Sequence, residues 1–108
     1  MLRRMDELSM REAIRAFVAE RDWEPYHDPK NLAMAVASEA GELCAELRWV
    51  ASDDADAHCQ REDVRPRIED EAAAVAICLL MFCARVGIDL EAAMRRKLAK
   101  NAEKYPAP

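Results

Sequence analysis

Apolar side chains recur at spacings of three and four in four stretches of the chain, and each stretch predicts a helix. The first carries Ile14, Phe17 and Val18 on one stripe. "SMRE" offers it a capping box, in which the Ser9 hydroxyl accepts from the Glu12 N–H while that glutamate reaches back. Pro25 and Pro29 then interrupt the pattern, and Asp28-Pro29 reads as an N-cap followed by a first-turn proline. The second helix is expected from about residue 30 to about residue 50, with Leu32, Val36, Ala40, Leu43 and Leu47 within about 80° of one another on the wheel. Residues 51–63 lack apolar periodicity and carry many acids, which predicts a polar connector. The third helix runs from about residue 65 to Gly87 and is apolar on every side between 72 and 84, so it should be surrounded in a bundle or at a subunit interface. Asp89 caps the fourth, which Pro106 ends. The pattern therefore predicts an all-α, four-helix bundle-like protomer forming a single domain over 1–108, with an N-terminal extension at 1–8 and the connector at 51–63.

Composition sharpens this picture. Two glycines among 108 residues, with 34% charged and 52% hydrophobic positions, suit packed helices better than sheets or a disordered tail. A domain this small buries a limited share of its surface, which predicts self-association through the apolar helices. The net charge of −5 argues against a nucleic-acid polymer as partner, since non-specific binding of phosphates needs a basic surface. Cys44, Cys59, Cys78 and Cys83 form no CxxC pair, and nothing at the N-terminus reads as a secretory signal, which predicts reduced thiols in the cytoplasm. No apolar run reaches the roughly 18 residues of a membrane span, so no membrane partner is expected.

The candidate chemistry lies in "SEAGELCAE" (38–46), where Glu39, Glu42 and Glu46 share one arc of the second helix. Relative to Leu32 they fall at about −20°, −80° and −40°. Glu39 therefore borders the core, where an ionised carboxylate is costly unless paired, hydrogen-bonded or bound to a cation. The third helix repeats the oddity, because Glu71 shares a face with Val75, Cys78 and Phe82. If the two helices pack antiparallel, Glu39, Glu42 and Glu71 converge on one cavity suited to a hard divalent cation such as magnesium. The competing reading is a solvated acidic face paired by Arg48, Arg65 or Arg67. His58 beside Cys59 carries no further sign of a metal site.

The order of features around the acids resembles a known family. "ERDWEPYHDPKNLAMAVASEAGELCAELRW" sets Trp23, His27 and Asn31-Leu32 before Glu39 and Glu42, and Trp49 after them; "KLAKNAEKYP" supplies Lys97, Asn101, Lys104 and Tyr105-Pro106. As a set these resemble the MazG-like all-α nucleotide pyrophosphohydrolases, particularly the dCTP pyrophosphatase branch, over about residues 17–106. The resemblance implies Mg²⁺-dependent cleavage of a nucleoside triphosphate between its α and β phosphates, with Mn²⁺ as a substitute, by a dimer or tetramer. It implies that Glu39, Glu42 and Glu71 hold the metal. Trp23, His27 and Trp49 would contact base and sugar, Lys97, Lys100 and Lys104 the polyphosphate, and Asn101 phosphate or metal-bound water, with Asn31 and Tyr105 among the substrate-binding residues. Read without it, the tryptophans serve equally as core, His27 as a structural hydrogen-bonding group, and the lysines as a solvated helix end favoured by the dipole.

One position departs from the pattern. The family's second acidic motif is ExxD; its glutamate falls on Glu71 and its aspartate on Ala74. Asp70, one turn before Ala74 and about 40° away on the wheel, is placed to compensate as a further metal ligand. Cys78 likewise stands where a tyrosine is frequent, so base preference does not transfer. The alternative expectation is a catalytically degenerate helical module that binds a nucleotide or a protein partner.

Overall fold

The structure, a computed structural model, describes residues 7–108, which form five α-helices and one 3-10 turn, with no strand among the described residues. They are α1 (Glu7–Glu20), the 3-10 turn (Glu24–Tyr26), α2 (Pro29–Leu47), α3 (Ser52–Gln60), α4 (Arg65–Val86) and α5 (Leu90–Lys104). The all-α expectation holds. Of the expected N-terminal extension at 1–8, residues 1–6 lie outside the described residues, and Glu7 and Leu8 already belong to α1.

Three boundaries follow the sequence reading closely. Asp28 caps α2, its Oδ1 accepting from the Asn31 N–H at 2.8 Å with Pro29 in the first turn. Gly87 ends α4 at φ 75°, the left-handed conformation that costs a residue with a Cβ, and the Ile88 N–H closes back on the Cys83 carbonyl at 2.9 Å. Asp89 caps α5 through the Ala92 N–H.

Other expectations need correction. Ser9 does not cap α1, because the helix is already formed at Glu7: Glu, Leu and Met around it are good helix formers and carry it past the serine. Pro25 does not end α1 either. The stop is a Schellman turn at Asp22 (φ 52°), in which the Asp22 and Trp23 N–H groups close on the Ala19 and Val18 carbonyls. The connector at 51–63 is not a loop over most of its length but contains α3. Asp53 and Asp54 sit favourably in its first turn and His58 in its last, while Ala55, His58 and Cys59 turn to its half-buried side. That face escaped a search for large apolar residues because it is made of small and polar ones. Finally, α2 ends at Leu47, so Trp49 lies in the turn that follows.

The centre of the fold is the α2/α4 pair, whose contacts run in antiparallel register. Leu32 lines a space with Leu80 and Ala84 near one end, Val36 meets Leu79 and Phe82, and Glu46 pairs with Arg67 at the other end. α1 packs on α4, and its Ile14 and Val18 with Leu32, Val64 and Cys83 form the buried apolar core among the described residues. Phe17, expected on the same stripe, is instead 44% exposed and carries the Arg21 guanidinium 3.6 Å above its ring. The core of one chain is thus small. Ala72, Ala73, Ala76 and Ile77 on α4 and Ala37, Gly41 and Ala45 on α2 face outward. Between α4 and α5 the axis turns by 102°, and α5 does not fold back along the pair. The radius of gyration, 16.7 Å, exceeds the roughly 13 Å of a compact 108-residue chain.

Candidate active site

The buried stripe of α2 is the one its wheel predicts: Leu32 is buried and Val36, Ala40, Leu43 and Leu47 are half-buried. The acids border it as expected. Glu39 and Glu46 are half-buried and Glu42 exposed; across from them Glu71 is half-buried on α4, in line with Val75, Cys78 and Phe82. Glu39 is near enough to act on two α4 groups at once. Burial, then Glu39, pushes the Cys78 thiol above its ordinary range. Partial burial, then the charges of Glu39, Glu42, Glu46 and Asp70, push the Glu71 carboxyl up as well. The antiparallel packing therefore gathers the acids of both helices into one field, with Asp70 exposed at its edge.

Arginines do not neutralise this field in the way a solvated face would require. Arg65 pairs with Glu69 at 3.1 Å on its own helix, and Arg48 lies 5.6 Å over the Trp49 ring. Among the described residues only Arg67 reaches into the row, its Nε lying 3.2 and 3.3 Å from the two oxygens of Glu46. Among the described residues, no ion pair joins Glu39, Glu42 or Glu71. Nor do any three acid, histidine or cysteine side chains among the described residues stand at coordinating spacing. The donor set consists of hard carboxylate oxygens short of counter-charge, a chemistry that suits a divalent cation.

A second cluster forms at the α1/α2 corner. The Schellman turn at Asp22 presents Trp23, whose ring meets Phe17 edge-on at 5.6 Å and His27 at 6.3 Å between centroids. Asn31 donates its side-chain amide to the Tyr26 carbonyl at 3.2 Å, locking the 3-10 turn onto α2. His27 lines a cavity of about 250 Å³ floored by Leu32, Leu80 and Met81, with Arg15 and Arg85 among its lining. Sequence reasoning missed those arginines because they belong to two helices and carry no motif.

Each of the remaining residues is separated from at least one of these clusters within one chain. Trp49 is 87% exposed beyond the far end of α2 from Trp23, and the 19 residues of α2 span about 28 Å. The two indoles of one protomer therefore cannot enclose the same ligand. Lys97, Lys100, Lys104 and Tyr105 are exposed and Asn101 half-buried on or just after α5, which starts beyond the end of α4, about 22 Å along that helix from Glu71. Ala74 is half-buried one turn beyond Glu71 and offers no oxygen. Cys44, Cys59 and Cys78 are free thiols.

Comparison with known proteins agrees with this geometry. The MazG-like family profile matches residues 37–108, which include both acidic segments and α5. The chain is 34% identical over 90 residues to dCTP pyrophosphatase 1 of Rattus norvegicus, covering 83% of this chain and 53% of that protein. It is 35% identical over 91 residues to the Homo sapiens protein of the same name, covering 84% and 54%. The chain thus spans about half the length of the curated relatives it matches. A solved structure of a pyrophosphatase from Archaeoglobus fulgidus superposes with a TM-score of 0.87 at 32% identity, covering 99% of each chain. With the paired acidic helices in place and the profile covering them, the chain belongs to the MazG-like family.

Proposed function

We propose that this protein is a nucleoside triphosphate pyrophosphohydrolase dependent on Mg²⁺, or on Mn²⁺ in its place, releasing a (d)NMP and pyrophosphate and acting in cytoplasmic house-cleaning of canonical or modified nucleotides such as dCTP. The observation that carries this reading is the unneutralised acid row shared by α2 and α4, in which Glu71 is raised by burial and by Glu39 and Glu42. The relatives named dCTP pyrophosphatase 1 and the archaeal pyrophosphatase support it.

In this reading Glu39, Glu42 and Glu71 would hold the metal, and Asp70, exposed beside Glu71, would add negative charge to the set. The bound cation would offset charge on the phosphate oxygens and acidify the attacking water. The water oxygen joins the α-phosphorus as the bond to the α–β bridging oxygen breaks, and pyrophosphate leaves. His27, which lines the 250 Å³ cavity, and Trp23 beside it offer a hydrogen-bonding edge and a ring face to base and sugar, with Asn31 fixing their corner.

Trp49 and the α5 groups Lys97, Asn101, Lys104 and Tyr105 complete the site only from a second copy, because one chain holds them apart from Trp23 and from Glu71. Self-association as a dimer or tetramer follows from the same observation and from the outward small-residue faces of α2 and α4. Sedimentation of the 12.2 kDa chain should show a species of at least twice that mass at micromolar concentration; a monomer would remove the in-trans assignment.

Ala74 favours a second reading, a helical module that binds nucleotides without hydrolysing them. A panel of canonical and damaged (d)NTPs assayed for pyrophosphate with Mg²⁺ and Mn²⁺ separates the two. Turnover of at least one substrate is expected, and binding without metal-dependent release across the panel would establish the degenerate module instead.

A further inference from the structure

The cavity beside His27 has an uneven chemistry. Its volume of about 250 Å³ lies below the roughly 300–1,000 Å³ of pockets that enclose a whole drug-sized ligand, so it takes one end of a nucleotide and leaves the rest outside. Leu32, Leu80 and Met81 give it an apolar floor on which a flat ring can lie. Among the described residues its charged lining is three guanidiniums, Arg11 and Arg15 from α1 and Arg85 from α4, against the one carboxylate of Glu24. In a chain of net charge −5 that local excess of cations runs against the overall balance.

Two of these guanidiniums have donors to give. Arg15 is exposed and, among the described residues, has no ion pair or side-chain hydrogen bond. Arg85 uses one nitrogen, its Nη1 donating to the Glu24 carbonyl at 3.5 Å, the outer limit of a hydrogen bond. That carbonyl also accepts from the His27 N–H at 3.1 Å, so this backbone acceptor of the wall is occupied. A guanidinium offers donors and no acceptor. The place also suits a base: Leu32 precedes Glu39 by seven residues, about 10 Å along α2, a separation that a sugar and its α-phosphate bridge.

We propose that Arg15, together with Arg85, reads the edge of the base, and that this protein prefers nucleotides whose base carries a carbonyl oxygen at that edge, as uracil, hypoxanthine and guanine do, over cytosine and adenine, which carry an exocyclic amine there. The proposal rests on reading the cavity as the pocket for base and sugar. A carbonyl accepts from the guanidiniums, as guanine O6 does from arginine. An amine sets donor against donor and leaves both without a partner.

The test compares matched pairs that exchange a carbonyl for an amine at one ring carbon: dUTP against dCTP, and dITP against dATP. Pyrophosphate release by the full chain with Mn²⁺ gives kcat/KM for each, and calorimetric titration with the unreactive monophosphates dUMP and dCMP gives affinities independent of turnover. Wild type should favour the carbonyl member of each pair by about 10-fold. Arg15→Gln, whose amide accepts as well as donates, should bring the ratios close to one, through KM more than kcat. Arg85→Gln should lower them too. A structural or long-range electrostatic role would move all the nucleotides alike and leave the ratios untouched. Wild-type ratios of one or below, or ratios that neither variant alters, overturn the proposal while the hydrolase reading stands. If no triphosphate is turned over, the hydrolase reading fails by itself, and the dUMP to dCMP ratio in wild type and Arg15→Gln still decides this one.

Discussion

Glu71→Gln is expected to lower metal-dependent pyrophosphate release by about 100-fold or more while raising the thermal stability of the metal-free protein. Both effects come from one cause. The glutamine keeps the size of the side chain but removes a charge from a partly dehydrated place among Glu39, Glu42, Glu46 and Asp70. Without a cation that charge is unfavourable, and with one it is a ligand. The same cause fixes a pH dependence. Because the folded state holds the Glu71 proton more tightly than the unfolded chain does, the native state binds more protons between the two pKa values, and stability falls as pH rises through the raised one. Metal-free melting curves across acidic pH should show that decline in wild type and a smaller one in Glu71→Gln; Mn²⁺ should reverse it only in wild type. An active Glu71→Gln variant, or one less stable than wild type without metal, would contradict the account.

Ala74→Asp is expected to act in the opposite direction. The new carboxylate would stand one turn beyond Glu71, in the stretch of α4 where Glu39 already acts on both Glu71 and Cys78. It should strengthen Mn²⁺ binding by about 10-fold and lower the melting temperature of the metal-free protein, since one more like charge enters the row. Hydrolysis that first appears in Ala74→Asp, with none in wild type, would instead show the natural chain to be a binding module.

Much of this was legible in the letters because it depends on angles within single helices. The 3.6-residue period is enough to set Glu39 beside the Leu32–Leu47 stripe and Glu71 in line with Cys78, and the caps at Asp28 and Asp89 need only local hydrogen bonds. The illegible parts depend on small residues or on distance. α3 hid because its inner face is Ala55, His58 and Cys59, and the Schellman turn at Asp22 hid because an aspartate fills the position usually read from glycine. Nothing in the chain order shows that Trp23 and Trp49 stand at opposite ends of α2, or that Arg67, 21 residues beyond Glu46, is the arginine that reaches the acids while Arg48 and Arg65 turn elsewhere.

The most direct test is anomalous diffraction from crystals soaked in Mn²⁺. The account predicts a peak lying between α2 and α4 within coordinating distance of Glu39, Glu42 and Glu71. A fully soaked crystal with no peak there, or with manganese only elsewhere on the surface, would contradict it.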